Sequence, residues 1–251
     1  MKNILFNEDN LTTMKKMPDN YISGIITSPP YNINTKRNDG YYNNGYSDID
    51  NLSEEDYLTK RTNEFKEFSR IMKDDAVICY NISYHTLNPI LPTLLMAKIH
   101  NETDLTVADV IAWKKPHAIP FQSSATKLSR ICELIYVVVK KSHSNSFKTN
   151  KVVSKINEKT GQKFYKHYVN HIEAKNNDGT KSLNKATYST ELVDKLIFIY
   201  FPENSIIYDP FMGIGTTAKG CIKNDCHYIG SELIEEFHLE SIKSIEDEKE
   251  M

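Results

Sequence analysis

The chain has little of several things that would have announced its chemistry. Its 251 residues include four cysteines, and of Cys79, Cys132, Cys221 and Cys226 only the last two lie close together. That excludes a disulfide framework, and Cys221 and Cys226 have no second pair to complete a zinc site, so buried free thiols without a catalytic role are expected. The eight histidines show no His-Glu-x-x-His spacing, so no metal site is assigned. Absence of Gly-Lys-Ser and Gly-Lys-Thr removes a nucleoside triphosphate P-loop. No apolar run approaches the roughly 18–20 residues of a membrane span, and Met1-Lys2-Asn3 does not open onto the apolar stretch of a signal peptide, so a cytoplasmic location and no membrane partner are expected. Net charge is close to zero, at −2. A nucleic-acid partner would therefore need a local basic region.

What is present suits one large α/β domain, or one domain with a substantial insertion: 39% hydrophobic and 25% charged residues over this length. The apolar run from Tyr21 to Ile26 reads as a strand that ends at Thr27-Ser28-Pro29-Pro30-Tyr31-Asn32. Consecutive prolines fix two φ angles, bias the residue before them away from helix and remove two backbone donors. A hydroxyl, free carbonyls and an aromatic face remain, a set that can accept from an exocyclic amine and stack on a flat ring. An ordinary proline turn is the bland reading of the same residues.

Met1–Phe6 reads as a strand, and Leu11, Met14 and Met17 recur at helical spacing up to Pro18. Strand, helix and strand within thirty residues form a βαβ unit, whose two strands are expected to be parallel neighbours. Asp9 and Ser28 then share the rim formed by the strands' carboxyl ends, although Asp9 also suits a helix cap. Asn34–Asn51 is polar and tyrosine-rich and reads as a loop beyond that rim. Ser53-Glu54-Glu55-Asp56 opens a helix carrying Tyr57, Leu58, Phe65, Phe68 and Met72. Strands follow over Ala76–Ile82, Val107–Trp113 and Cys132–Val139, with a helix over Leu87–Ile99 and the irregular basic connection Lys114–Phe121. Trp113 reads as a core anchor. From Ser142 to Lys185 there are nine lysines against three acids. This is the one stretch whose charge suits a phosphate backbone, and a solvated insertion is its bland alternative.

The last quarter holds the second chemical signal. A helix over Thr187–Phe201 leads to a strand, Ser205–Tyr208, then Asp209-Pro210-Phe211-Met212-Gly213-Ile214-Gly215-Thr216-Thr217, a helix over Ala218–Lys223, and a strand, His227–Gly230, ending at Ser231-Glu232. The glycines let a ligand approach the backbone and Glu232 can accept from ribose hydroxyls, so this reads as a nucleotide-type pocket. The charged tail from Glu235 reads as an exposed helix.

Ser28-Pro-Pro-Tyr31 followed downstream by Asp209-Pro-Phe-x-Gly-x-Gly-Thr resembles the S-adenosylmethionine-dependent DNA amino-methyltransferases, in the β arrangement that places the catalytic loop before the cofactor loop. Asn7-Glu8-Asp9-Asn10, Trp113-Lys114-Lys115-Pro116 and Ala186–Leu192 resemble further segments of that family; Asn184-Lys185 stands where many relatives carry His-Pro, and Ser189 where they often carry Pro. The resemblance implies a Rossmann-like methyltransferase fold, a mostly parallel doubly wound sheet in circularly permuted order. Residues 1–141 would be its catalytic half, 142–185 a small basic target-recognition insertion and 186–251 its cofactor-binding half. It implies Ser28, Pro29, Pro30 and Tyr31 as catalytic residues, and Asp9, Asp209, Phe211, Gly213, Gly215, Thr216 and Glu232 as contacts to S-adenosylmethionine, with Asp9 facing the adenine. DNA with a flipped target base is the implied partner; a cognate restriction endonuclease and a homodimer both occur in such families. Members with Ser at the first catalytic position are mostly cytosine-N4 enzymes and those with Asp mostly adenine-N6 enzymes, so cytosine is expected first and adenine is the alternative. A protein or RNA methyltransferase, or a non-catalytic nucleic-acid-binding module, stand behind these.

Overall fold

The structure, a computed structural model, describes residues 1–32, 51–84, 88–117, 128–179 and 187–250. The expected loop at 34–51 lies outside the described residues except for Asn51. So do 118–121 of the basic connection and 180–185 of the lysine-rich stretch. In chain order the elements are β1 (Ile4–Phe6), α1 (Asn10–Lys15), β2 (Ile22–Thr27), α2 (Glu54–Ile71), β3 (Met72–Ile82), α3 (Leu91–Glu102), β4 (Leu105–Lys114), β5 (Cys132–Lys140), β6 (Val153–Ile156), β7 (Lys163–Tyr165), β8 (His171–Glu173), α4 (Thr190–Tyr200), β9 (Ile206–Asp209), α5 (Thr216–Lys223), β10 (His227–Ser231) and α6 (Glu235–Lys249).

Eight strands form one sheet in the order β1-β10-β9-β2-β3-β5-β4-β8. Only β5 runs antiparallel to its neighbours. The central strands are buried on both faces, which is why their sequences are continuous apolar runs rather than alternations. Along β3, Ala76, Ile78, Tyr80 and Ile82 pack with α1, α2 and α3, while Val77 and Cys79 face the layer built by α4 and α5. Each large side chain so buried contributes on the order of 1.5–3 kcal/mol.

The expectation that the first two strands are neighbours fails. They are parallel, but β10 and β9 lie between them. Chain spacing reveals a crossover through α1, not how many sheet positions it skips; here it skips two, which the last quarter of the chain fills. That insertion sets the C-terminal ends of β1, β10, β9 and β2 in one row, and the loops leaving them carry Asp9, Glu232, Phe211 and Ser28.

Helix starts follow their capping chemistry. Ser53 Oγ accepts from the Asp56 amide at 3.1 Å ahead of three acidic residues in the first turn of α2, and Ser189 Oγ caps α4 from the Leu192 amide at 3.3 Å. The tail helix α6 is not wholly exposed: Phe237, Ser241 and Ile245 bury one face, because they recur at i, i+4 and i+8 among charges. The lysine-rich stretch also departs from a purely solvated insertion. β6 and β7 pair as a separate antiparallel ribbon, exposed at every residue. β8 joins the main sheet beside β4, burying Ile172 and leaving His171 and Glu173 outside. A three-residue strand is too short to show its alternation in sequence. Trp113 is buried and its indole N–H donates to the Ala174 carbonyl at 3.1 Å, anchoring β8. Among the cysteines, Cys79, Cys221 and Cys226 are buried but Cys132, at the first position of β5, is exposed. No helix among the described residues is long and apolar enough to cross a membrane.

Candidate functional site

The Ser28–Asn32 loop leaves β2 at the centre of the rim. Its prolines are buried, Ser28 and Tyr31 half-buried, and the Tyr57 hydroxyl of α2 donates to the Pro30 carbonyl at 3.0 Å. Asn32 adopts φ 56°, and its side-chain amide exchanges two bonds with the backbone of Leu52, donating to its carbonyl at 2.9 Å and accepting from its amide at 2.8 Å. Ser28 Oγ lies 2.6 Å from the Tyr31 hydroxyl. Asn81, at the end of β3, donates to that hydroxyl at 2.8 Å and to Glu133 Oε2 at 2.9 Å. Tyr31 donates to the same carboxylate oxygen at 3.3 Å. Lys115 pairs with the other oxygen of Glu133 and lies 4.5 Å from the Trp113 ring centroid.

The glycine-bearing loop after β9 is built around Asp209. Its carboxylate is 1% exposed and accepts four bonds, from Thr27 Oγ1 (2.7 Å), the Phe211 amide (3.0 Å), Thr217 Oγ1 (2.6 Å) and the Tyr188 hydroxyl (2.9 Å). Burial nevertheless pushes its carboxyl above the ordinary range, against the pull of those donors. Asp209 thus ties together β2, the cofactor-type loop, α5 and the start of α4. Gly213 has φ 55° and its amide donates to Glu232 Oε2 at 2.8 Å, while Glu232 Oε1 accepts from the Ile234 amide at 2.9 Å. Burial raises the Glu232 carboxyl as well. Gly215, at φ 87°, is the cap residue of α5, and a Cβ there would sit 3.3 Å from Ser241 and Ile245 of α6. Left-handed backbone and close packing both call for glycine.

Between these loops lies a cleft of about 490 Å³, its open mouth included. One wall is Pro30, Pro210 and Phe211, the rim carries Glu8, Asp9, Ser231, Glu232 and Leu233, and the floor is Asn10 with Lys60, Arg61 and Glu64 of α2. Of the residues expected to bind cofactor, Asp9, Phe211 and Glu232 line this cleft. Asp209, Gly213, Gly215 and Thr216 stand behind it and shape the loop. Asp9 also caps α1, accepting from the Leu11 amide at 2.9 Å, as the cap reading expected.

The floor was not foreseen. Arg61 and Glu64 are each 1% exposed in their side chains and 3.1 Å apart. The guanidinium carbon of Arg61 lies 4.9 Å from the Phe211 ring centroid and 5.5 Å from that of Tyr57. Glu64 accepts from Asn10 Nδ2 at 3.3 Å, whereas Asn10 Oδ1 and Arg61 Nε find no hydrogen-bond partner among the described residues. Burial pushes the Glu64 carboxyl up, with Arg61 opposing. The signal was in the sequence: Tyr57, Arg61, Glu64, Phe68 and Ile71 occupy one helical stripe, so a charged pair sits on the face that should be apolar. Asn81 and Glu133 were likewise missed, each hidden as one polar residue in an apolar strand.

Chemically, the cleft offers carboxylates at its mouth, flat apolar walls and glycine backbone behind them. These suit a purine nucleoside carrying positive charge, with Pro30, Phe211 and Leu233 against the ring and Asp9 and Glu232 accepting from its amine and ribose hydroxyls. The neighbouring Ser28–Tyr31 loop offers hydroxyls for a second, amine-bearing ring.

Comparison with known proteins gives a consistent result. A family model described as DNA methylase, of the N6/N4 group, matches residues 22–243. The chain is similar to the type II methyltransferase M.BglII of Bacillus subtilis, 20% identical over 94% of this chain and 66% of that protein, whose length it thus spans by about two thirds. It is 23% identical to the type II methyltransferase M.Cfr9I of Citrobacter freundii over 93% of this chain and 84% of that one. Among solved structures, PvuII DNA methyltransferase (cytosine-N4-specific) superposes with a TM-score of 0.74 at 15% identity, covering 100% of this chain and 92% of that one. M1.HpyAVI in complex with SAM superposes with a TM-score of 0.63 at 20% identity, covering 96% and 98%. These likenesses give the fold, an α/β methyltransferase sheet.

Proposed function

The chain belongs to the N6/N4 DNA methylase family, and on that premise we propose that it transfers the methyl group of S-adenosylmethionine to the N4 amine of cytosine in DNA. The observation that carries this reading is the Ser28 hydroxyl, held 2.6 Å from Tyr31 at the head of a rigid loop on the same rim as the nucleoside-shaped cleft. A serine at that position, and a structural neighbour described as cytosine-N4-specific, favour cytosine over adenine.

The residues of the cleft fit S-adenosylmethionine. Asp9 and Glu232 would accept from the adenine amine and the ribose, Phe211 and Pro30 would flank the ring, and the Asp209-centred loop, whose Gly213 amide donates to Glu232, would hold that wall in place. The bound cofactor supplies an electrophilic methyl group on a sulfonium. Ser28 Oγ and the Pro29 carbonyl accept from the exocyclic amine and so aim its nitrogen lone pair, and the Tyr31 ring packs on the base. Orientation carries the catalysis, and the buried prolines keep the acceptors from relaxing.

DNA is the partner, and the exposed β6–β7 ribbon supports that reading. Lys148, Lys151, Lys155, Lys159, Lys163 and Lys166 lie on or beside it against Glu158 alone, a charge pattern suited to phosphates.

The test is mass spectrometry of nucleosides from DNA treated with the purified protein and S-adenosylmethionine. N4-methylcytosine is expected; N6-methyladenine alone overturns the choice of base, and no methylated nucleoside overturns the activity.

A further inference from the structure

Ser28 is an ambiguous group on its own. A hydroxyl can accept from the base amine, leaving the nitrogen lone pair free to attack, or donate to that lone pair and block it. The side chains behind it remove the ambiguity. Glu133 is an acceptor with Lys115 on Oε1, so Tyr31 must give its proton to Oε2. The two short donations from Asn81 Nδ2, at 2.8 and 2.9 Å, go to the Tyr31 oxygen and to Glu133. Asn81 Nδ2 makes a third, longer contact with Ser28 Oγ at 3.4 Å. With its own proton directed at Glu133, Tyr31 accepts from Ser28, and Ser28 keeps a lone pair for the base amine. The chain of donation runs Ser28 to Tyr31 to Glu133. Its carboxylate end is half-buried, with side chains 13% exposed for Glu133 and 16% for Lys115, so water competes little for these bonds.

We propose that Glu133, acting through Tyr31, fixes the Ser28 hydroxyl as an acceptor and is the final acceptor of the proton shed by the methylated amine. This rests on reading the site as one for amino-methyl transfer. As the nitrogen–carbon bond forms, the sulfur–carbon bond breaks and its electron pair stays on sulfur. The nitrogen, now cationic, loses a proton to Ser28 Oγ, the Ser28 proton passes to Tyr31, and the Tyr31 proton passes to Glu133. One proton moves from base to carboxylate, and both hydroxyls are regenerated. Glu133 touches neither base nor methyl donor and is a positioning residue.

The experiment uses the full chain, S-adenosylmethionine and a DNA that the native protein methylates, in single-turnover mode. Glu133→Gln keeps the shape and removes the charge; the methylation rate should fall about 100-fold or more, while thermal stability and calorimetric affinities for cofactor and DNA stay within about threefold of native. Glu133→Asp should restore part of the rate. Tyr31→Phe cuts the same chain, and the double variant should be no slower than the slower single. A Glu133→Gln rate within about threefold of native, or losses that multiply in the double variant, overturns the proposal. Should Glu133→Gln fail to fold, Tyr31→Phe decides, since an unchanged rate there breaks the relay. A native protein that methylates no base amine defeats the functional reading itself, an outcome distinct from an active native protein indifferent to Glu133.

Discussion

Asp209 and Glu64 are both buried carboxylates near the cleft, and the chain holds them by different means. Asp209 sits among neutral donors, three hydroxyls and an amide, with no cation against it among the described residues. Glu64 has a cation, Arg61, but a sparse shell, with Arg61 Nε and Asn10 Oδ1 lacking partners among the described residues. Neutral donors cannot swing away to a better partner without leaving Asp209 bare, so they lock four segments in one geometry. An ion pair between two long side chains on one helix, with unused hydrogen-bonding capacity around it, can adjust to what enters above it. The difference separates a rigid wall from an adaptable floor.

The sharpest way to break the comparison is Asp209→Ala, which leaves several buried donors bare. More than about 4 kcal/mol of stability should be lost in a urea titration; a loss near 1 kcal/mol would mean the hub is decorative. Next comes Arg61→Met, which strands Glu64 in an apolar site and should cost about 3 kcal/mol, most of it recovered by adding Glu64→Leu. Failure of the second change to rescue the first would show that Arg61 is not held mainly by its pair. Gly215→Ala tests the wall without touching charge: positive φ and the approach of α6 predict a loss of about 1–2 kcal/mol.

The smallest effect is one of sign. Burial raises Glu232 above its unfolded value, so its favourable contribution is fully present below the unfolded carboxylate range and is lost as pH rises through the folded value. The native chain should therefore gain in Tm on Glu232→Gln as pH falls from about 7 to about 4. A gap that shrinks instead would place Glu232 in a solvated or cation-paired setting.

How much of this was legible in the sequence divides along the same line. The wall was readable because its signals are local: Ser28-Pro29-Pro30-Tyr31, Asp209 to Thr217 and Glu232 each combine a strand end with a turn, and strand alternation puts them on one rim. Helix caps at Asp9 and Ser53 were readable for the same reason, whereas the helix expected from Thr187 begins only after its cap, Ser189. The Arg61–Glu64 pair left only the trace of two charges on an apolar helical stripe, and the contacts of Arg61 with Phe211 and of Ser28 with the Glu133 chain left none, because they join residues far apart in sequence through a sheet order that local spacing does not encode. The same blindness produced the wrong neighbour for β1. It also hid β8, whose three residues acquire meaning only from the register that sets Ile172 beside Trp113.

The exchange of two bonds between Asn32 and Leu52 works as a knot at the neck of a purse. It holds the two ends of the eighteen-residue stretch 33–50 together and anchors the Ser28–Asn32 loop to the residues just before α2. Doubling such a stretch adds only about 0.6 kcal/mol of closure entropy. A longer or shorter stretch between these two anchors would therefore cost the fold little.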